Sequence, residues 1–214
     1  NVYQDVTVTA DGRTLATVQA QTTSGLWISD AASQLRSLGT DRTLVVMSPQ
    51  ETADGAIVFA ASQGSQCAIW SCAADGTGVK RLTSKDSYCF APKVSRDGRK
   101  VFYSAVRDGA PPHVWCMDLN GGNARQLTSA EGEILASISA DGSWILYGAA
   151  DGGVLWKMPV AGGPPVQLGV GAMGVFSPDA TRIAFTSWRK VEGRWSNDLT
   201  VIPADPEKAP AQYL

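Results

Sequence analysis

An Asp-Gly pair returns along this chain at nearly constant spacing: Asp11-Gly12, Asp54-Gly55, Asp97-Gly98 and Asp141-Gly142, then Asp179-Ala180 with alanine in the glycine position. The intervals are 43, 43, 44 and 38 residues. A fixed period of that size marks a propeller or another repeat array, because each repeat is a small unit that cannot bury its own apolar faces and must stack on its neighbours. Two further landmarks keep phase with the first. Trp27, Trp70, Trp115 and Trp156 follow their aspartates by 16, 16, 18 and 15 residues, and Leu38, Leu82, Leu127 and Leu168 follow the tryptophans by 11, 12, 12 and 12. In the last unit Thr200 takes the tryptophan position, so that unit is degenerate in both its turn and its aromatic.

The third unit shows what one repeat is. APKVSRDGRKVFYSA reads as a short strand, a tight Asp97-Gly98 turn and a second strand of alternating type through Val101 and Tyr103. After the loop RDGAPP come a third strand, HVWCMD, the turn LNGGN and a short polar outer strand, ARQLT. The other units read the same way, and no stretch of 3.6-residue periodicity is long enough for a helix. The spacing predicts an all-β chain of five four-stranded antiparallel units, at about 1–40, 41–84, 85–129, 130–169 and 170–214, closed as a β-propeller or forming part of a larger one. The Asp-Gly pairs themselves are turn chemistry, since aspartate bonds the backbone two residues on and glycine accepts φ > 0. The strand tryptophans are expected to pack between adjacent sheets.

With 214 residues and 44 % hydrophobic composition the chain can bury a sizeable core. Its formal charge of −2, with Lys and Arg spread throughout, offers no basic stripe for nucleic acid or anionic lipid. No apolar run approaches the roughly 18 residues of a membrane span. The opening NVYQDVTVTADG has neither a basic nor an apolar leader region and no initiator Met, which suggests a mature or excised domain. Cys67, Cys72, Cys89 and Cys116 lack zinc-site spacing; they read as small buried thiols, with one disulfide between neighbouring blades as the alternative. Cys67 and Cys72 flank a strand at an odd offset, face opposite sides and cannot readily pair. No metal or cofactor is expected.

The runs SPDATRIAF, SRDGRKVFYS and TADGRTLATV, the strand VWCMD followed by LNGGNARQLT, and LWISD resemble the WD40-like repeat of TolB-like propellers, written roughly SPDGxxIAF…IWxMDxDGGxxRQLT. The resemblance covers essentially the whole chain. It implies a propeller fold and, by family analogy, a location outside the bacterial cytoplasm. Relatives with this repeat include periplasmic translocation components, sensor domains of membrane kinases and gating domains of prolyl-oligopeptidase-like enzymes. It also implies that the Asp-Gly and Gly-Gly turns share one rim, while the second-to-third-strand loops and the blade connections share the other.

Binding concentrates on loops at one end of a rigid scaffold, so candidate contacts fall on that second rim. The segment from Ser187 to Asp198 carries Trp188, Arg189, Lys190, Arg194 and Trp195, residue types enriched at interface hot spots; a segment folded back on its own blade is the alternative. Tyr88 and Phe90 in the second blade connection, His113 at the mouth of the third blade, and Glu131 and Glu133 in the next connection follow. His113, the lone histidine, has no nucleophile to serve and sits at a loop-to-strand entry. No G-x-S-x-G elbow occurs, and the innermost strands offer only Asp5 towards a channel rather than paired carboxylates. The expectation is a non-catalytic domain that presents a loop-rich face to a protein or peptide. The alternative is an accessory or sensor domain of a larger kinase or hydrolase, taking a glycan or small solute at the channel mouth. An incomplete ring would associate through its exposed end faces into a homo-oligomer.

Overall fold

The computed structural model describes residues 2–8, 15–20, 26–29, 35–37, 45–130, 132–150, 153–191, 194–205 and 212–213. Its elements are all strands. β1 (Val2–Val8) pairs with β2 (Leu15–Ala20), and β3 (Trp27–Ser29) with β4 (Leu35–Ser37). β5 (Val45–Glu51), β6 (Ile57–Gln63), β7 (Gln66–Cys72) and β8 (Lys80–Arg81) form a four-stranded sheet in chain order. β9 (Ser87–Val94), β10 (Lys100–Arg107), β11 (His113–Asp118) and β12 (Arg125–Gln126) form another. β13 (Glu133–Ile138), β14 (Trp144–Ala149), β15 (Val154–Pro159), β16 (Val166–Phe176), β17 (Arg182–Val191), β18 (Arg194–Pro203) and β19 (Gln212–Tyr213) make a seven-stranded sheet. That last sheet is two leaves sharing one strand: β16 pairs with β15 through Val166–Val170 and with β17 from Gly171 onward. Each described pairing is antiparallel, as hairpins and short connections require.

The period-2 alternation of each second strand sends its side chains to two different neighbours. On β10, Val101, Tyr103 and Ala105 join Val58, Ala60, Cys67, Ile69 and Cys89 of the preceding sheet, whereas Phe102 joins Leu135, Ile145, Tyr147 and Met158 of the following leaf. β6 behaves likewise, with Val58 and Ala60 facing forward and Phe59 and Ala61 packed with Leu26 behind. On β14, Ile145 and Tyr147 face back and Leu146 faces forward to Ile183, Phe185 and Ile202. The core is thus a series of slabs between sheets rather than one central mass, the arrangement of propeller blades. Trp70, Trp115 and Trp156 are half-buried on the backward faces of their sheets.

The two ends of the stack depart from that rule. Trp27, in the same register position, is 61 % exposed, which corrects the expectation that every strand tryptophan lies between sheets: among the described residues no sheet packs behind it. At the other end Leu199 corresponds to Val114 and Leu155, fully buried on the earlier sheets, yet it is 53 % exposed, and Val175 on the same forward face is 51 % exposed.

The recurring turn is a Ser/Thr-x-Asp-Gly box. Ser95 Oγ donates to Asp97 Oδ1 at 2.6 Å, Asp97 Oδ1 accepts from Arg99 N at 3.0 Å, and Ser95 Oγ accepts from Lys100 N at 2.9 Å. Ser139 with Asp141 and Ser177 with Asp179 repeat it at 2.5 Å each, and Thr52 with Asp54 repeats the hydroxyl-to-carboxylate bond. Donation from Ser139 and then Ser143 holds the Asp141 carboxyl near pKa 2, and donation from Ser177 and Thr181 does the same at Asp179. In the degenerate turn Ala180 keeps the glycine's left-handed conformation, φ 56°. That conformation costs an alanine roughly 1–2 kcal/mol, of which glycine's greater chain entropy offsets about half. Ala180→Gly is therefore expected to stabilise the fold by about 0.5–1 kcal/mol, seen as a higher urea midpoint; an unchanged midpoint would show that the turn is not strained.

All four cysteines are buried and free. Cys67 packs forward and Cys72 backward, as their odd spacing requires.

Candidate functional site

The rim opposite the Asp-Gly turns is built around one carboxylate. Glu133, the first residue of β13, is 5 % exposed. Its Oε2 lies 2.7 Å from His113 Nδ1 and accepts from Thr128 Oγ1 at 3.1 Å, while its Oε1 accepts from Ala130 N at 2.7 Å. Its own N–H donates to Pro112 O at 2.6 Å, and Thr128 Oγ1 accepts from Val114 N at 2.9 Å. The connection between the two sheets is thereby sewn to the entry of β11. Gly132 permits the close passage: at φ +97° a Cβ there would meet Ala150 at 3.3 Å and Pro111 at 3.4 Å. A buried carboxylate needs such donors, and three of its roughly four lone-pair directions are taken.

Beside Glu133 opens a cavity of about 440 Å³, walled by Tyr147, Trp156, Ala149, Val154 and Pro165. This is within the size range of small-molecule and side-chain pockets. Tyr147 is 5 % exposed and, among the described residues, its hydroxyl has no hydrogen-bond partner. Burial, and secondly the charge of Glu133, push its pKa up to about 12, so the hydroxyl keeps its proton and stands ready as a donor. A more open hollow of about 350 Å³ lies on the turn rim against Ser95, Asp97, Lys100 and Asp141. Its aspartates are already engaged in the turn bonds.

The preceding sheet carries the same aromatic pair in a different state. Tyr103 and Trp115 are cross-strand partners, as are Tyr147 and Trp156. Over Trp115 lies the guanidinium of Arg107, 3.7 Å from the ring centroid, with Nη2 donating to Tyr103 Oη at 3.3 Å. Burial, opposed by the nearby Arg107, raises the Tyr103 pKa to about 12.

The residues singled out in the sequence are distributed as follows. His113 and Glu133 are brought into contact. Tyr88 and Phe90 lie on β9 rather than in a connection, two residues apart on one face, rings 5.9 Å between centroids and tilted by 56°; Tyr88 is exposed and Phe90 half-buried. The segment from Ser187 to Asp198, read as a loop, continues the β17–β18 ladder: Trp188 pairs with Asn197, Arg189 with Ser196, Lys190 with Trp195 and Val191 with Arg194. Trp188 is half-buried, and the side chains of Arg189, Lys190, Arg194 and Trp195 lie outside the described residues, as does Glu131. At the base of this extension Ser187 Oγ and Thr200 Oγ1, 2.6 Å apart and buried, satisfy each other across the ladder. Tyr147 and Arg107 were not singled out, and Trp156 was named only as a packing landmark, although the paired aromatics recur at the repeat period.

Antiparallel sheets stacked face to face, the inner ones packed on a neighbour at either side, define the class: a β-propeller fold. Residues 7–168 match the family described as TolB beta propeller domain, and the chain belongs to that family. It is 25 % identical to a protein TolB homolog of Chlorobium luteolum over 142 residues, 62 % of this chain and 31 % of that one. Among solved structures it is similar to TolB from Acinetobacter baumannii, with TM-score 0.68 and 18 % identity over 96 % of this chain and 52 % of that one. It is also similar to an oligogalacturonate lyase in complex with manganese, with TM-score 0.62 and 17 % identity over 82 % and 53 %. The chain therefore spans about a third of the curated relative and about half of each of these structures. Among the described residues no helix is long and apolar enough to cross a membrane.

Proposed function

We propose that this chain is a non-catalytic propeller module that holds a protein or peptide partner on its loop-rich rim, outside the bacterial cytoplasm by analogy with TolB. The observation that carries the reading is the asymmetry of the two rims. On one, the aspartates are engaged in turn bonds; the other carries a cavity of about 440 Å³ that presents Tyr147 and Trp156, and also exposed Tyr88 and half-buried Phe90 at the start of β9. Aromatic groups with free polar tips are the usual anchors of partner contacts. Enzymes share the fold, the lyase among them. The best-placed titratable pair here, His113 and Glu133, is buried in structural bonds rather than aimed at a reacting atom.

The five repeats are read as five blades with the boundaries given above. Exposed Trp27 at one end and exposed Val175 and Leu199 at the other support an open arc of a larger ring, whose isolated form joins a second copy through those faces. For the partner, the immobilised chain is exposed to an envelope extract of its source bacterium. A retained polypeptide lost with Tyr88→Glu on the loop-rich rim, yet kept with Arg99→Glu on the turn rim, is the expected result. Retention indifferent to Tyr88, or turnover of a peptide or glycan abolished by one point change, would overturn the proposal.

A further inference from the structure

Resting on that reading of the rim, we infer that the cavity at Tyr147 and Trp156 is a receptor for a guanidinium, an arginine side chain offered by the partner. The internal repeat supplies the reason. In the β9–β12 sheet the pair Tyr103 and Trp115 is covered by a guanidinium of its own, Arg107, stacked on the indole and bonded to the phenol. In the next leaf the corresponding pair faces an open cavity, and the residue four places after Tyr147, where Arg107 follows Tyr103, is Asp151. The chain thus shows, on one sheet, the occupant that the equivalent surface on the next sheet lacks among the described residues.

Charge and donor inventory agree with the geometry. The position matching Cys89 in this column is Glu133, since Cys89 pairs with Ala105 as Glu133 pairs with Ala149. A carboxylate with one lone-pair direction left stands at the wall of the cavity, where the first sheet has a thiol. A planar guanidinium can stack on Trp156, donate one N–H to the Tyr147 oxygen as Arg107 does to Tyr103, and present another to Glu133. An anion would meet the carboxylate, and an aliphatic side chain would leave the phenol unbonded. The occupant is a residue of the partner rather than free arginine, because the cavity opens on the loop-rich rim proposed to hold that partner.

The test uses acetyl-arginine-amide and its uncharged isostere, acetyl-citrulline-amide, titrated into the intact chain while the Trp156 indole N–H is followed by NMR, assigned with Trp156→Phe. Saturable shifts of that resonance by the arginine probe at millimolar concentration, with citrulline about tenfold weaker or more, are expected. Ala149→Leu, which fills the cavity from a half-exposed wall, should abolish the shifts while the fold is retained. Glu133→Gln should weaken the arginine probe and leave citrulline unchanged. Equal response to both probes, or no saturable shift, would overturn the inference. Were Tyr88-dependent retention to persist in that case, partner binding would stand and only the cation pocket would fall; loss of retention with arginine binding intact would do the reverse.

Discussion

Phe102→Ala is expected to cost about 3–5 kcal/mol of unfolding free energy, the upper range for deleting a buried ring. Phe102 is essentially inaccessible and is the side chain that β10 sends forward into the slab formed with Leu135, Ile145, Tyr147 and Met158. Its removal empties a slab bounded by two flat sheets held by their ladders, so collapse can refill little of the volume. For a chain of this size each kcal/mol is worth roughly 2–4 °C, so a melting point lower by on the order of 10 °C is the signature. A loss under about 1 kcal/mol would mean that the two sheets do not share this core.

Gly171→Ala is expected to be nearly as severe for the opposite reason. A Cβ at Gly171 would lie 2.3 Å from the backbone oxygen of Thr186 and 2.8 Å from the Phe185 ring. The oxygen belongs to a paired strand and cannot swing away as a side-chain end could. Gly171 stands where β16 ceases to pair with β15 and begins to pair with β17, so displacement disturbs both ladders. A loss of about 3 kcal/mol is anticipated from overpacking of this kind. Gly148→Ala on β14 is the control. Its nearest neighbour would be Val154 O at 3.8 Å, and the change should stay within about 0.5 kcal/mol. Comparable losses at both positions would place the sensitivity in glycine content rather than in the close approach.

The repeat was legible because its markers are chemically obligatory. The Ser/Thr-x-Asp-Gly box writes itself into the sequence through a carboxylate, a hydroxyl and a residue able to adopt positive φ. The opposite facing of Cys67 and Cys72 followed from parity alone. What misled was Gly-rich or polar sequence that is nevertheless strand. GVGAMG lies at the boundary set between the fourth and fifth units, yet it is the middle of β16, its small residues in close approach to Leu155, Phe185 and Thr186. The stretch from Ser187 to Asp198 likewise lacks apolar alternation and is held by its ladder. Glu133 was named for its position, but only the fold shows it bound on three sides. The Tyr147–Trp156 cavity had a signal in plain view: one aromatic pair followed by arginine, its twin by aspartate.

β16 is the outer edge of one leaf and the inner edge of the next, with eleven residues and no intervening coil. A hinge needs slack, and here there is none. The two leaves act as one splint: peeling β15 away tugs on β17, and amide protons on both flanks exchange through a common opening. The β9–β12 sheet shares no strand with them and is tied to β13 by side-chain packing and the Glu133 bonds instead.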